Sequence, residues 1–141
     1  MGARETVEDY LHALSAGDAE RTASLVTDDF HNEHTSALGS SSHGREEYER
    51  RLPGFLGQFA GLQYEIVELV ADGDAVAVRY RLTANFQGFP LDIPGVMWFA
   101  VRDGRIARRT DVWDSLTFLR QTGAVEERPA TDPSPPPADA R

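Results

Sequence analysis

"VRDGRIARRTDVWDSLTFLRQTG", residues 101–123, is the stretch whose reading decides the fold. Asp103-Gly104 separates two runs rich in β-branched, aromatic and arginine residues. A two-residue hairpin turn needs positive φ, which Gly and Asp tolerate, so the pair predicts an antiparallel turn. The run after it, 105–114, then reads as a strand. "SLTFLRQTG" closes the stretch as a short helix, with Ser115 or Asp114 as its N-cap and Gly123 just past its end. A strand hairpin that ends on a helix argues against a chain of alternating βαβ units.

Working outward, the preceding segments repeat the strand pattern. "LQYEIVELVA" (62–71) passes through Asp72-Gly73-Asp74 into "AVAVRYRLTANF" (75–86). "QGFP" then leads to "LDIPGVMWFAVR" (91–102). The first half of the chain is different. Val7, Tyr10, Leu11 and Leu14 recur at helical spacing and predict a helix over 4–16. Asp18 caps a second helix running to Val26. "DDFHNEHTSALGSSSHG" (28–44) has no helical period, and its first part, 30–35, reads as a short strand. A third helix carries Tyr48, Leu52, Phe55, Leu56 and Phe59 on one face, kinked or shortened at Pro53-Gly54. The order is α-α-β-α-β-β-β-β-α. Helices first and a meander afterwards make this an α+β fold: a curved antiparallel sheet wrapped around the N-terminal helices as a cone, with a small-molecule cavity in its mouth.

The 141 residues fit a single domain, over 1–125, followed by a disordered tail over 126–141 with five prolines in sixteen residues. A net charge of −9 makes nucleic acid and anionic membrane poor partners. No run approaches 18 apolar residues, and the N-terminus lacks the regions of a signal peptide, so the cytoplasm is expected. There is no cysteine, and all fourteen basic residues are arginine. Thiolate catalysis, cysteine zinc sites and lysine Schiff bases are therefore excluded. "HNEH" (31–34) looks like half a metal site on a helix, but a strand sends His31 and Glu33 to one face and Asn32 and His34 to the other. No metal and no cofactor are expected.

"YLHALSAGDAERTASLVTDDF" (10–30) resembles the opening of the nuclear transport factor 2-like superfamily, and "GDAVAVRYRLTANFQG" followed by "VRDGRIARRTDVWDSLTFLRQTG" is most similar to its SnoaL-like polyketide cyclase branch. The resemblance covers about 5–124. Ketosteroid isomerases and limonene epoxide hydrolases are relatives. By this resemblance Tyr10 stands where ketosteroid isomerases carry an oxyanion tyrosine, while His34 and Met97 replace their two functional aspartates. The Asp-Arg-Asp set of the epoxide hydrolases reads Leu82, Tyr80 and Asp111 here, with Asn32 and His34 at the water-holding positions. SnoaL-like cyclases pair a last-strand aspartate with a histidine. Asp111 is that aspartate, and His34 substitutes for their histidine.

The resemblance also orients the strands. Ala107, Arg109, Asp111 and Trp113 are expected to face the cavity, with Ile106, Arg108, Thr110 and Val112 outside. Val78, Tyr80, Leu82, Met97, Phe99 and Val101 join the first set. The expected catalytic groups are Asp111, His34, Tyr10 and Tyr80. Asn32, Arg109, Trp113, Met97, Phe99, Leu82 and Val78 are expected to contact substrate. Asp111 has a structural alternative, an ion pair with Arg109 two residues away. The implied activity is a cofactor-independent cyclase or isomerase acting on a small, apolar, carbonyl-bearing, polyketide-like substrate. The alternatives are epoxide opening by a water on Asp111, His34 and Asn32, or a non-catalytic binding module. The resemblance further implies a homodimer.

Overall fold

The computed structural model describes residues 2–126; the expected Pro-rich tail, apart from its first residue, lies outside them. Four helices and six strands follow in the order α1 (Ala3–Ser15), α2 (Ala19–Ser24), β1 (Val26–His34), β2 (Ser42–His43), α3 (Arg45–Gln58), β3 (Phe59–Asp72), β4 (Ala75–Phe86), β5 (Phe89–Arg102), β6 (Arg105–Trp113) and α4 (Ser115–Gln121). The sheet is open, with spatial order β2-β1-β6-β5-β4-β3. Three hairpins make β3 to β6 a meander. Asp103 and Gly104 take φ of 52° and 77°, the paired positive values of a primed turn.

The α+β class and the helix-then-meander order hold, with several local differences; among them, α2 stops at Ser24 and Val26 already opens β1. The sheet is mixed rather than wholly antiparallel, because β1 runs parallel to β6. Parallel pairing of distant segments leaves no turn signal to read. The short β2, inside the Ser/Gly loop, pairs with β1 through His31↔His43 and Asn32↔Ser42. Pro53 does not end α3, which continues to Gln58 and hands Phe59 to β3. Asp114, not Ser115, caps α4, accepting from the Thr117 amide at 3.0 Å.

Val7, Tyr10, Leu11 and Leu14 of α1 are at most 1% exposed and share one core with Val76, Val78, Met97 and Phe99. Strand alternation is correct over most of β6: Arg109 and Asp111 are buried, Arg108 and Val112 exposed. It fails at Ile106, expected outside but fully buried. The β5–β6 register steps from Ala100↔Arg108 to Val101↔Ile106, so Ala107 is an extra, bulged residue that reverses the parity before it.

Candidate functional site

Arg109 and Asp111 project inward from β6, two residues apart on one face. The parallel ladder sets Asn32 beside Arg109 and His34 beside Asp111. Asp111 Oδ1 accepts from the Tyr80 hydroxyl at 2.6 Å, and Oδ2 accepts from Arg109 Nη2 at 3.2 Å. Arg109 Nη1 donates to Asn32 Oδ1 at 3.1 Å. His34 Nδ1 lies 3.7 Å from Asp111 Oδ2, beyond hydrogen-bond length, and has no hydrogen-bond partner among the described residues. The backbone also fixes the two strands here: Thr35 donates from both its amide and its hydroxyl to the Asp111 carbonyl.

These groups form the floor of a cavity of about 660 Å³, within the usual range for small-molecule sites. Its walls are largely apolar: Leu52 and Phe55 of α3, Leu82 and Phe86 of β4, Trp113 of β6 and Phe118 of α4. α4 is pinned by Gln121, whose side-chain amide bonds both the N–H and the C=O of Asp92.

Burial dominates the electrostatics. It pushes the Asp111 carboxyl above its usual value, against Arg109 and the Tyr80 hydrogen bond, which pull it down. It pushes His34 down to about 4, helped by the charge of Arg109, so the imidazole is neutral at pH 7. Burial also opposes the charge of Arg109, but its surroundings, the Asp111 carboxylate among them, outweigh this and raise its pKa, so the guanidinium stays protonated. Burial raises Tyr10, Tyr48, Tyr64 and Tyr80, which therefore remain hydrogen-bond donors through neutral pH.

Asp111, His34, Asn32, Arg109, Tyr80, Leu82 and Trp113 all line this cavity. Tyr10, Val78, Met97 and Phe99 do not; they lie in the closed core. The reason is α1, which packs over that end of the sheet and sets the Tyr10 ring edge-on against Phe99. Two tyrosines missed in the sequence line the cavity instead, Tyr48 and Tyr64. Tyr48 sits on the apolar stripe of α3, and Tyr64 shares an inward face with Leu62, so each had a positional signal that its burial disguised as packing. The Tyr48 hydroxyl is 2.5 Å from that of Tyr10. His31, on the outer face of β1, stacks on His43 at 5.3 Å. Among the described residues no group of three His, Asp or Glu side chains is placed to hold a metal.

The comparison with known proteins follows the geometry. A profile of the SnoaL-like domain matches residues 7–109. The chain belongs to the SnoaL-like family. No curated protein matches this SnoaL-like chain in sequence. Among solved structures it is similar to a Catenulispora acidiphila protein with a ketosteroid isomerase-like fold in complex with trimethylamine (19% identity, 84% of this chain and 92% of that one, TM-score 0.77). A Xanthomonas campestris protein described as a candidate polyketide cyclase aligns with 21% identity over 84% of this chain and 95% of that one, TM-score 0.75. An LEH-like epoxide hydrolase of M. tuberculosis aligns with 25% identity over 86% and 92%, TM-score 0.74. No helix is long and apolar enough to cross a membrane among the described residues.

One residue behind the SnoaL-like site invites a direct test. Tyr80 pairs across the sheet with Gly95. A Cβ on Gly95 would fall 2.4 Å from the Tyr80 hydroxyl and from its ring carbon Cζ. Only glycine therefore lets this ring lie across β5 to reach Asp111. Gly95→Ala is expected to cost about 1–3 kcal/mol of stability by overpacking and to detach the hydroxyl. Thermal melts check this through a double-mutant cycle: adding Tyr80→Phe to Gly95→Ala should cost far less than it does in the parent.

Proposed function

We propose that the protein is a cofactor-independent acid/base enzyme, a cyclase or isomerase acting on a small, mostly apolar, carbonyl-bearing molecule of polyketide-like character. The observation that carries this reading is Asp111: a buried carboxylate with a raised pKa, held by Tyr80 and Arg109 at the floor of an otherwise apolar cavity. In the proposed reaction Asp111 takes a proton α to the substrate carbonyl, and the electron pair moves onto the carbonyl oxygen. The Tyr48 hydroxyl is the donor best disposed toward that oxygen. When Tyr10 donates to Tyr48, the Tyr48 proton is free for the cavity that it lines. Tyr80 and Arg109 orient Asp111 and keep it ionised. Returning the proton to another carbon isomerises the substrate. Attack of the enolate carbon on a second carbonyl closes a ring, and the Asp111 proton, relayed through a bridging water to His34, then neutralises the new alkoxide.

A second reading, epoxide opening by water, is favoured by the unpartnered His34 Nδ1. It lies 3.7 Å from Asp111 Oδ2, with Asn32 lining the same wall, a spacing that one water bridges. Homodimer formation belongs to the same reading. It is supported by the outer sheet face, where Trp98 is 54% exposed among Val70, Val96 and Val112. The cytoplasm is the proposed compartment, supported by the absence of cysteine.

The deciding experiment incubates the protein with β-dicarbonyl compounds and enones in D2O, and with apolar epoxides in 18O-labelled water. Deuterium uptake α to a carbonyl supports the first reading, and labelled diol the second. Neither product from any compound would leave a non-catalytic binding module. The exchange rate should rise with pH as Asp111 ionises, with its limb above 3.8 because the carboxyl is raised. No alkaline limb is expected below 10, because the tyrosine donors are raised as well.

A further inference from the structure

The charges that line the cavity run against those of the chain. The protein has 23 acidic and 14 basic residues, yet the cavity is lined by Arg50, Arg51 and Arg109 with Asp111 as the only acidic residue among those described. Arg109 and Asp111 neutralise one another at the floor. The excess positive charge therefore sits on α3, from Arg50 and Arg51. Both bond to a single carboxylate, Glu47, which does not line the cavity; Arg51 Nε donates to it at 2.6 Å. One carboxylate shared by two guanidiniums leaves one positive charge uncompensated. Arg51 also donates to Ser40 Oγ and to the Ser41 carbonyl, which fixes its head against the 35–41 loop. Arg50 has no such second anchor among the described residues, and its side chain is 70% exposed. One helical turn on, Gly54 also lines the cavity, and nothing lies within 4 Å of the place where its Cβ would be. This gap in the α3 wall sits beside the two arginines.

We propose that the cavity takes an amphipathic organic anion, a carboxylate or a comparable acid, whose charged group rests on Arg50 and Arg51 while its apolar body extends to the Asp111 floor. This rests on the reading of the cavity as a substrate site and names its substrate class. A guanidinium binds a carboxylate through two parallel N–H donors, which makes arginine well suited to reading such a group. Arg50 is the specificity-determining residue of the pair, because its exposed head turns to the ligand without breaking the Ser40 and Ser41 bonds that Arg51 makes. Neutral molecules of the same shape enter the apolar part but lose this contact.

The test is calorimetric titration of the full chain with 4-phenylbutanoate and with its methyl ester, at low and at high salt. The acid should bind about fivefold or more tightly than the ester at low salt, and salt should erase most of that preference. Arg50→Gln should reduce the preference, weakening the acid several-fold more than the ester. Glu47→Gln, which frees both guanidiniums, should enlarge it. A purely structural role for the Glu47 pairs predicts the opposite sign. Equal binding of acid and ester, no binding of the acid, or an acid preference that survives Arg50→Gln together with Arg51→Gln would each overturn the proposal. The outcome is separable from that of the acid/base reading. Equal binding of acid and ester by the unsubstituted protein refutes the anion site alone, whereas absent exchange in D2O refutes the chemistry alone.

Discussion

Asp111→Asn is expected to lower the exchange or cyclisation rate by about 10²–10⁴-fold, the usual contribution of a positioned general base. The substitution is nearly isosteric. An amide oxygen can still accept from Tyr80 or from Arg109, so the cavity should keep its shape. What disappears is the basic lone pair, together with the anion facing Arg109. A ligand that binds without reacting should therefore keep an affinity within a few-fold of the parent, while turnover collapses. The acid limb of the rate profile should vanish with it. An unchanged rate on an established substrate would remove Asp111 from the chemistry and leave it as the structural partner of Arg109.

Arg109→Met is expected to have the largest effect on stability. Arg109 is 4% exposed and Asp111 3%. Truncating one member of so buried a pair leaves the other charge unsolvated and costs about 3–5 kcal/mol. For a chain of this size that corresponds to a melting-temperature drop on the order of 10–20 °C. The loss should depend on pH in a definite direction. Arg109 pulls the Asp111 pKa down, so its removal raises the folded-state pKa further above the unfolded value. A raised carboxylate favours the folded state below that pKa and penalises it above, so the deficit should shrink in acid and grow toward neutrality. Arg109→Met combined with Asp111→Leu should recover much of the loss, since no buried charge then remains. A double variant as unstable as Arg109→Met alone would show that the guanidinium's packing against Tyr10, not its charge, is what matters.

Alternation along single strands carried much of the site into view from the sequence. Asn32 with His34, Tyr80 with Leu82, and Arg109 with Asp111 and Trp113 all reach the cavity wall because side chains on a regular strand alternate faces. The misses came where regularity breaks or where two elements compete for the same space. The bulge at Ala107 hid the burial of Ile106. The packing of α1 took Tyr10, Val78, Met97 and Phe99 out of the cavity and left Tyr48 as the cavity-lining member of the tyrosine pair. The parallel contact between β1 and β6 had no local signal at all, since it joins segments with most of the domain between them.

That contact has a consequence for the order in which the molecule is made. Asn32 and Arg109 are separated by 77 positions, and β6 is the last strand to be synthesised. Until it docks, the edge of β1 opposite β2 has no partner strand, and Tyr80 has no Asp111 carboxylate to meet. A nascent chain carrying everything up to β5 therefore holds an apolar cup without its polar floor. The Asp111 cluster can form only once β6 has docked on β1, a long-range pairing of the kind that slows folding, so a probe of that cluster reports on this docking step.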